Sequence, residues 1–291
     1  RNASIDGFRG IAASLVVFSH ATAFRLSGAS YPFSHVSQRL AVSLSEIAVQ
    51  IFFVISGFII TSLLIREENS NKYINIVAFY ARRSFRILPP LLFFMCGAML
   101  ARRQGWISFP TETLGNALLF TCNTGLTDCQ WWVAHTWSLA VEEQYYLAWP
   151  IMFALLRKRW RMIFLSFSLA SLLSMYWVFP HSWHSNFISF ACIAAGALFA
   201  LSAEAQVKVK ASANWLLWAL VVALLVVGPL VDPLFRTVQF LMPALILYLI
   251  FAGSEIGIVR AFLESRVVQF LGYVSYSLYL WQQLFLADPD L

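Results

Sequence analysis

The stretch FRGIAASLVVFSHA at residues 8–21 is an apolar run with an arginine and a histidine near its two ends. Arg9 and His20 have ten residues between them, so almost three helical turns separate them and both share one helix face. An ionisable group within a membrane span is costly and is by default a functional hypothesis. The stretch therefore predicts a membrane-spanning helix with one polar face.

The composition extends this interpretation to the whole chain. Of the 291 residues, 60% are hydrophobic and 12% are charged, whereas an ordinary soluble domain has roughly 45–50% and about 25%. Nine stretches are long enough, or nearly so, for the ~20 apolar residues that cross a bilayer as a helix. They are approximately 8–26, 44–65, 86–101, 134–156, 162–179, 186–202, 213–230, 236–252 and 268–287. We expect an all-α, polytopic transmembrane helix bundle with about nine spans, forming a single domain over residues 1–291.

The formal net charge of +6 arises from basic residues in the short loops between the apolar stretches. Most of the 20 lysines and arginines lie on the side of the membrane that holds the N-terminus, so the positive-inside rule explains them. We therefore expect a cytoplasmic N-terminus, membrane lipids as the surroundings and no nucleic acid as a partner.

The cysteines suggest a disulfide but no metal site. Cys122 and Cys129 lie in the long loop at 102–133, which this topology places outside the cytoplasm, where oxidising conditions permit a disulfide. No cysteine pair has the spacing of zinc ligands, so we expect no metal.

The segment HTWSLAVEEQYYLAWP at 135–150 carries two adjacent carboxylates, Glu142 and Glu143, in an otherwise apolar and aromatic span. Counted from the outer ends of their spans, Glu142 and His20 lie at nearly the same depth, and Gln282 of the last span is close to that level. The sequence thus predicts that a carboxylate, an imidazole and an amide meet, with the carboxylate orienting the imidazole as a base. It leaves open whether Glu142 or Glu143 faces His20.

Two further segments have two interpretations each. In ARRSFRILPP at 81–90, the arginines suit either a positive-inside anchor or a phosphate clamp. In FFVISGFIITS at 52–62, Gly57 either permits close helix packing or leaves room for a ligand to pass, with Ser56 supplying a hydrogen bond.

Taken together, these segments resemble the acyltransferase 3 family, whose integral-membrane members acylate bacterial surface polysaccharides and other extracytoplasmic acceptors. The resemblance runs nearly the length of the chain. It rests on an ordered set of motifs: Arg9-x10-His20, Ser56-Gly57-Phe58, Arg83-x-x-Arg86 before Pro89, Trp137-Ser138-Leu139-x-x-Glu142-x-x-Tyr145-Tyr146, and the late segment SYSLYLW.

The resemblance implies transfer of an acyl group, commonly acetyl from cytoplasmic acetyl-CoA, to a hydroxyl of a glycan or lipid-linked sugar such as O-antigen or exopolysaccharide. The protein would lie in the bacterial cytoplasmic (inner) membrane. His20 would be the catalytic base and Glu142 its partner. The expected donor-binding residues are Arg9, Ser56, Gly57, Arg83 and Arg86, and the expected substrate-binding residues are Trp137, Glu143, Tyr145, Tyr146 and Gln282.

The chain departs from the family pattern in two places. The family's late helix often continues with a histidine where this chain has Gln282, which leaves the role of that position open. The family bundle usually has ten helices, so nine spans suggest that a final helix is missing here.

Two other functions remain possible at this stage. A lipid-linked sugar transporter or flippase would use the intramembrane histidine and glutamate as a proton relay, and would be expected to show inverted repeats. A non-catalytic sensor or assembly partner would make the same pair dispensable.

Overall fold

The computed structural model describes residues 2–27, 34–125, 129–179 and 183–286. Within these ranges the regular secondary structure is entirely helical, with no β-strand. The α-helices are α1 (Ala3–Ser27), α2 (Ser34–Asn71), α3 (Ile76–Arg103), α4 (Thr111–Leu118), α5 (Trp131–Ala134), α6 (Thr136–Leu155), α7 (Lys158–Val178), α8 (His184–Leu201), α9 (Ala203–Ala211), α10 (Trp215–Val227), α11 (Asp232–Phe251), α12 (Gly257–Leu263) and α13 (Arg266–Leu286). Two 3₁₀ turns, Gly228–Leu230 and Gly253–Glu255, flank α11.

Each of the nine apolar stretches coincides with one helix, but nine spans are not confirmed. Among the described residues, five helices are long and apolar enough to cross a membrane, or six if the bent pair α9 and α10 counts as one span. Helices α1, α6 and α13 are outside this set. All three carry some of the polar residues of the candidate site, and polar residues lower the mean hydropathy of a helix.

Helix α2 lies at the centre of the bundle and packs against α1 on one side and α8 on the other. The contact with α8 is unusually close. A Cβ atom on Gly57 would lie 2.0 Å from the carbonyl oxygen of Ile193, and one on Gly196 would lie 2.1 Å from that of Val54. Because both opposing atoms are backbone, neither glycine tolerates a side chain. Gly57 therefore has the first of the two roles that the sequence allowed, close helix packing, and it is not among the residues that line the cavity described below.

Helix α1 packs along α13 as well as along α2. Here a Cβ atom on Gly272 would lie 2.2 Å from the carbonyl oxygen of Asp6. This close approach of the two backbones brings the later part of α1, with His20, alongside the later part of α13, with Gln282. The first and last described helices thus build one side of the candidate site together.

The loop before α5 is closed by a disulfide between Cys122 and Cys129, as the sequence suggested. The side-chain amides of Asn123 and Gln144 exchange hydrogen bonds of 3.0 and 2.9 Å, and Gln144 also donates to the carbonyl oxygen of Phe120. These contacts fasten the loop to α6, next to the segment that carries the candidate catalytic residues.

Candidate active site

A cavity of about 100 Å³ lies among α1, α2, α3, α6 and α13. Its wall combines apolar side chains with a few polar ones that converge from five helices. The polar residues that line it are Arg9, Ser56, Arg83, Arg86, Ser138, Glu142, Tyr146, Ser275, Tyr276 and Tyr279. Six residues of the predicted site are therefore brought together, although the sequence separates them by up to 137 positions: Arg9, Ser56, Arg83, Arg86, Glu142 and Tyr146.

A second, wider groove of about 530 Å³ adjoins the cavity. Both are lined by Ile60, Arg83 and Arg86, so these residues form the boundary between them. The groove adds Arg66 and Arg82, together with Glu67. Cavity and groove together are lined by five arginines and two glutamates, an excess of positive charge that suits an anionic ligand.

Glu142 is held within the cavity wall by three neighbours. Its carboxylate accepts hydrogen bonds from the Ser56 hydroxyl at 2.6 Å and from the Tyr146 hydroxyl at 3.1 Å. The Arg83 guanidinium lies 3.9 Å from the same carboxylate and stacks 3.8 Å above the Tyr146 ring. Glu142 thus fixes the position of an arginine and a tyrosine in the cavity wall.

We call Arg9, Arg83, Arg86 and Glu142 the arginine cluster. Arg9 and Arg83 both lie close enough to Arg86 to repel its charge. Three guanidinium groups with one carboxylate among them carry a net positive charge, which is unfavourable without an anion nearby. Planar guanidinium groups bind phosphate oxygens in pairs of hydrogen bonds, so this arrangement is suited to a phosphate-containing ligand.

His20 lies elsewhere, next to α13 and α5. Its Nδ1 is 3.0 Å from Oε1 of Gln282, and its ring contacts the edge of Trp131 at a centroid distance of 5.8 Å. Among the described residues, neither Glu142 nor Glu143 is hydrogen-bonded to His20. The structure therefore does not bring His20 and Glu142 into contact, whereas the predicted contact between His20 and Gln282 is present.

His20 and Glu142 are apart because their helices are not at the relative heights that the apolar stretches indicated. Residues 131–134 form the separate helix α5, and His20 is level with this helix rather than with the middle of α6. His135 lies immediately before the first residue of α6, and Glu142 follows it by seven residues. This spacing corresponds to about 10 Å along the helix axis. Counting from the ends of apolar stretches could not detect this offset.

His135 is the residue that the sequence interpretation missed. Its side chain is 3% exposed, and its Nδ1 and its backbone N–H both contact Oε1 of Gln283. The ring is near enough to His20 to interact with it electrostatically. One signal was available, because His135 lies two helical turns before Glu142 and thus on the same face of the polar stripe.

We call His20, His135, Gln282 and Gln283 the histidine cluster. It is connected to the cavity through two hydroxyl groups. The Tyr279 hydroxyl donates to the carbonyl oxygen of His135 at 2.9 Å and lies 2.6 Å from Oγ of Ser138. Both Tyr279 and Ser138 line the cavity, so they stand between the arginine cluster and the histidine cluster.

The remaining predicted substrate-binding residues are divided between the cavity and other surroundings. Tyr146 lines the cavity. Trp137 packs against Phe53 with a centroid distance of 6.1 Å, and Tyr145 stacks on Trp149 at the same distance. Trp137, Tyr145 and Glu143 are not among the residues that line the cavity. In the described part of the chain there is no group of three or more His, Cys, Asp or Glu side chains that could hold a metal ion.

An all-helical membrane bundle with an arginine-lined cavity and a nearby buried histidine is consistent with a membrane-embedded acyltransferase. The chain belongs to the acyltransferase 3 family: the family's model, described as an acyltransferase domain, matches residues 2–287. The resemblance inferred from the motifs is therefore confirmed.

Similar curated proteins come from Staphylococcus aureus. The O-acetyltransferase OatA of strain NCTC 8325 is 28% identical over 177 residues, which cover 54% of this chain and 25% of OatA. OatA of strain MRSA252 matches to the same extent. The protein SACOL0978 of strain COL, provisionally named an O-acetyltransferase, is 26% identical over 201 residues, covering 60% of this chain and 29% of that protein. The matches thus span less than a third of these relatives' lengths. No solved structure shows a significant match.

Proposed function

We propose that the chain transfers an acetyl group from cytoplasmic acetyl-CoA to a hydroxyl of a glycan outside the bacterial cytoplasmic membrane. The observation that carries this proposal is the connection of two unlike regions: a cavity lined by arginines, and the histidine cluster beyond the hydroxyls of Ser138 and Tyr279. The kinship with O-acetyltransferases supports acetyl as the acyl group. The excess of basic residues on the N-terminal side supports a cytoplasmic N-terminus and donor entry from the cytoplasm.

The donor would bind with its phosphates in the groove and its thioester in the cavity. Acetyl-CoA carries several phosphate charges at one end, and the five arginines of groove and cavity are complementary to them. Arg86 lies at the boundary of the two spaces, where it can contact a phosphate while the thioester arm extends past Ser56 towards Tyr279. Glu142 keeps Arg83 in position rather than acting on the reacting atoms.

His20 would act as the general base. An amide oxygen accepts hydrogen bonds, so Gln282 Oε1 holds the proton of His20 on Nδ1 and leaves Nε2 free to accept one. In the proposed reaction, Nε2 takes the proton of the acceptor hydroxyl as that oxygen attacks the thioester carbonyl carbon. The C–O bond forms, the C–S bond breaks, and the imidazolium returns its proton to the thiolate. The products are an O-acetyl ester and CoA.

The experiment that tests this proposal is turnover of radiolabelled acetyl-CoA by purified protein in nanodiscs, with and without a membrane glycan fraction. We expect wild type to release CoA and to label the glycan, and we expect His20→Ala to do neither. The matched control is His184→Gln, since His184 is also shielded from solvent at least in part but contacts the carbonyl oxygen of Phe179, away from the site. We expect this control to keep its activity.

A His20→Ala protein that is folded and turns over like wild type would refute the role of His20. Wild type that releases no CoA, but moves a lipid-linked sugar across the bilayer, would replace acetyl transfer by the transporter alternative.

A further inference from the structure

The side chain of Gln282 has one amide atom in use and one without a partner. The residue is 4% exposed, and its Oε1 lies 3.0 Å from Nδ1 of His20. Its Nε2, which carries two N–H groups, is buried and has no hydrogen-bond partner among the described residues. A buried donor left unsatisfied costs about 1–3 kcal/mol. This cost is understandable if a substrate atom supplies the partner during the reaction.

The orientation of the amide follows from the chemistry of His20, and here the inference rests on the proposed function. If the amide were turned around, its N–H would donate to Nδ1, the ring proton would move to Nε2, and His20 could not act as a base. The neighbouring residue, Gln283, also turns its amide oxygen towards a histidine. Gln283 Oε1 accepts from the backbone N–H of His135, which can only donate, so the oxygen of that amide must face the histidine.

The position of Nε2 can then be related to the reacting atoms. The base must be within hydrogen-bond reach of the acceptor hydroxyl, whose oxygen attacks the thioester carbonyl carbon. The carbonyl oxygen is one bond from that carbon, so it lies within a few ångströms of the amide that holds the base. We propose that Gln282 is a second catalytic residue, whose Nε2 donates a hydrogen bond to the thioester oxygen as that oxygen becomes negatively charged.

Gln282 would stabilise the oxyanion without gaining or losing a proton. When the acceptor oxygen bonds to the carbonyl carbon, the π electron pair moves onto the thioester oxygen, and the amide N–H stabilises the resulting oxyanion. When the intermediate collapses, the pair returns, the C–S bond breaks and the thiolate leaves. Gln282 keeps its protons throughout, while His20 carries the proton of the acceptor. One amide thereby orients the base and stabilises the oxyanion.

This role explains why a neutral amide suits the position better than a carboxylate. A carboxylate would hold the His20 proton on Nδ1 equally well, and would strengthen the base, but it has no N–H and would repel an oxyanion. Gln282→Glu is therefore a sharp test, because it preserves the orienting contact and removes the donor. Gln282→Met removes both contacts without adding a charge. It provides the test of the proposal if the charged variant does not fold.

The first measurement is steady-state acetyl transfer by wild type, Gln282→Glu, Gln282→Met and two controls. The controls are Gln50→Glu and Gln50→Met, since Gln50 is also 4% exposed in a helix that can span the membrane and donates to Ser189 instead. We expect kcat to fall about 10²- to 10³-fold in both Gln282 variants, as for loss of one oxyanion donor, with little change in KM for acetyl-CoA. The Gln50 variants should keep a kcat near that of wild type.

Retention of near-wild-type kcat by folded Gln282→Glu would overturn the proposal and leave Gln282 as a positioning residue for His20. If His20→Ala were inactive in the same assays, the proposed function would stand while this inference alone would fall.

A second measurement needs no acceptor and no turnover. The infrared stretch of isotope-labelled acetyl-CoA bound to the protein reports hydrogen bonding to its carbonyl oxygen. We expect a lower frequency in wild type and Gln50→Met than in Gln282→Met. Equal frequencies in all three would contradict the contact, and a wild type that binds no acetyl-CoA would overturn the proposed function as well.

Discussion

The arginine cluster and the histidine cluster lie in the same bundle, yet different forces hold their side chains. In the arginine cluster, an ion pair, a cation–π contact and two hydrogen bonds to a carboxylate converge on Arg83 and Glu142. In the histidine cluster, hydrogen bonds join the imidazoles to neutral amides. The first arrangement is governed by charge and the second by the positions of protons.

This difference assigns separate tasks to the two clusters. A surplus of positive charge attracts a polyanion over a distance of several ångströms, and its effect depends on ionic strength. Neutral hydrogen bonds act only at contact, but they decide which ring nitrogen carries a proton. We therefore expect changes in the arginine cluster to affect KM for acetyl-CoA, and changes in the histidine cluster to affect kcat.

The largest effect in this comparison is expected from Arg86→Gln. Removing one charge-assisted hydrogen bond to a phosphate costs about 1.5–3 kcal/mol, so KM for acetyl-CoA should rise roughly 10- to 100-fold. Measurement of KM and kcat with varied acetyl-CoA tests this expectation. The control is Arg260→Gln, since Arg260 pairs with Glu255 away from the cavity. A rise in KM that is equal in both variants would contradict a specific role for Arg86.

The next effect is expected from His135→Phe. Phenylalanine preserves ring packing against Phe94 and Tyr279 but removes both ring nitrogens. Gln283, the neighbour of Gln282, then loses its hydrogen bond to the ring of residue 135. The loss of one buried hydrogen bond, ~1–2 kcal/mol, should lower kcat about tenfold and leave KM for acetyl-CoA unchanged. Gln283→Met should give a similar decrease. If KM rises while kcat is unaffected, the division of tasks between the clusters is wrong.

The sequence predicted the elements of this fold better than their relative positions. Apolar length identified nine helices, because a span must satisfy its own backbone. It did not give a secure count of spans, since α1, α6 and α13 carry some of the polar residues of the site and are not among the helices apolar enough to span. The short helices were also missed: α5 has four residues, too few for a periodic pattern.

The same distinction applies to the candidate site. Periodicity shows which residues share a face of one helix, as it does for Arg83 and Arg86 of α3, whereas the grouping of Arg9 with these two was implied by the family resemblance. The height of one helix relative to another depends on where α5 ends and on how closely α1 approaches α13. The pairing of His20 with Gln282 rather than Glu142 follows from that packing. The role of Gly57 was ambiguous for the same reason, because only the position of α8 reveals it.

Glu142→Gln tests directly whether Glu142 acts separately from His20. Glutamine can still accept hydrogen bonds from Ser56 and Tyr146, but it no longer neutralises Arg83. Because an exposed or half-buried ion pair contributes ~1 kcal/mol, we expect KM for acetyl-CoA to change by about tenfold or less. The pH dependence of kcat should remain that of wild type, because Glu142 does not contact His20. A pH profile that shifts in this variant would restore the carboxylate–imidazole pair and contradict the separation of the two clusters.

The smallest expected effect is that of salt on the wild-type protein. The Debye length falls from about 10 Å at 0.1 M to about 3 Å at 1 M salt, which screens the attraction between the groove and the phosphates of acetyl-CoA. Because Arg66 and Arg82 line the open groove, KM for acetyl-CoA should rise severalfold, by up to about fivefold for a change of ~1 kcal/mol. The value of kcat should stay constant, since the hydrogen bonds of the histidine cluster join neutral groups. Arg86→Gln should show a weaker salt dependence than wild type, whereas a kcat that falls with salt would mean that charge also governs the chemical step.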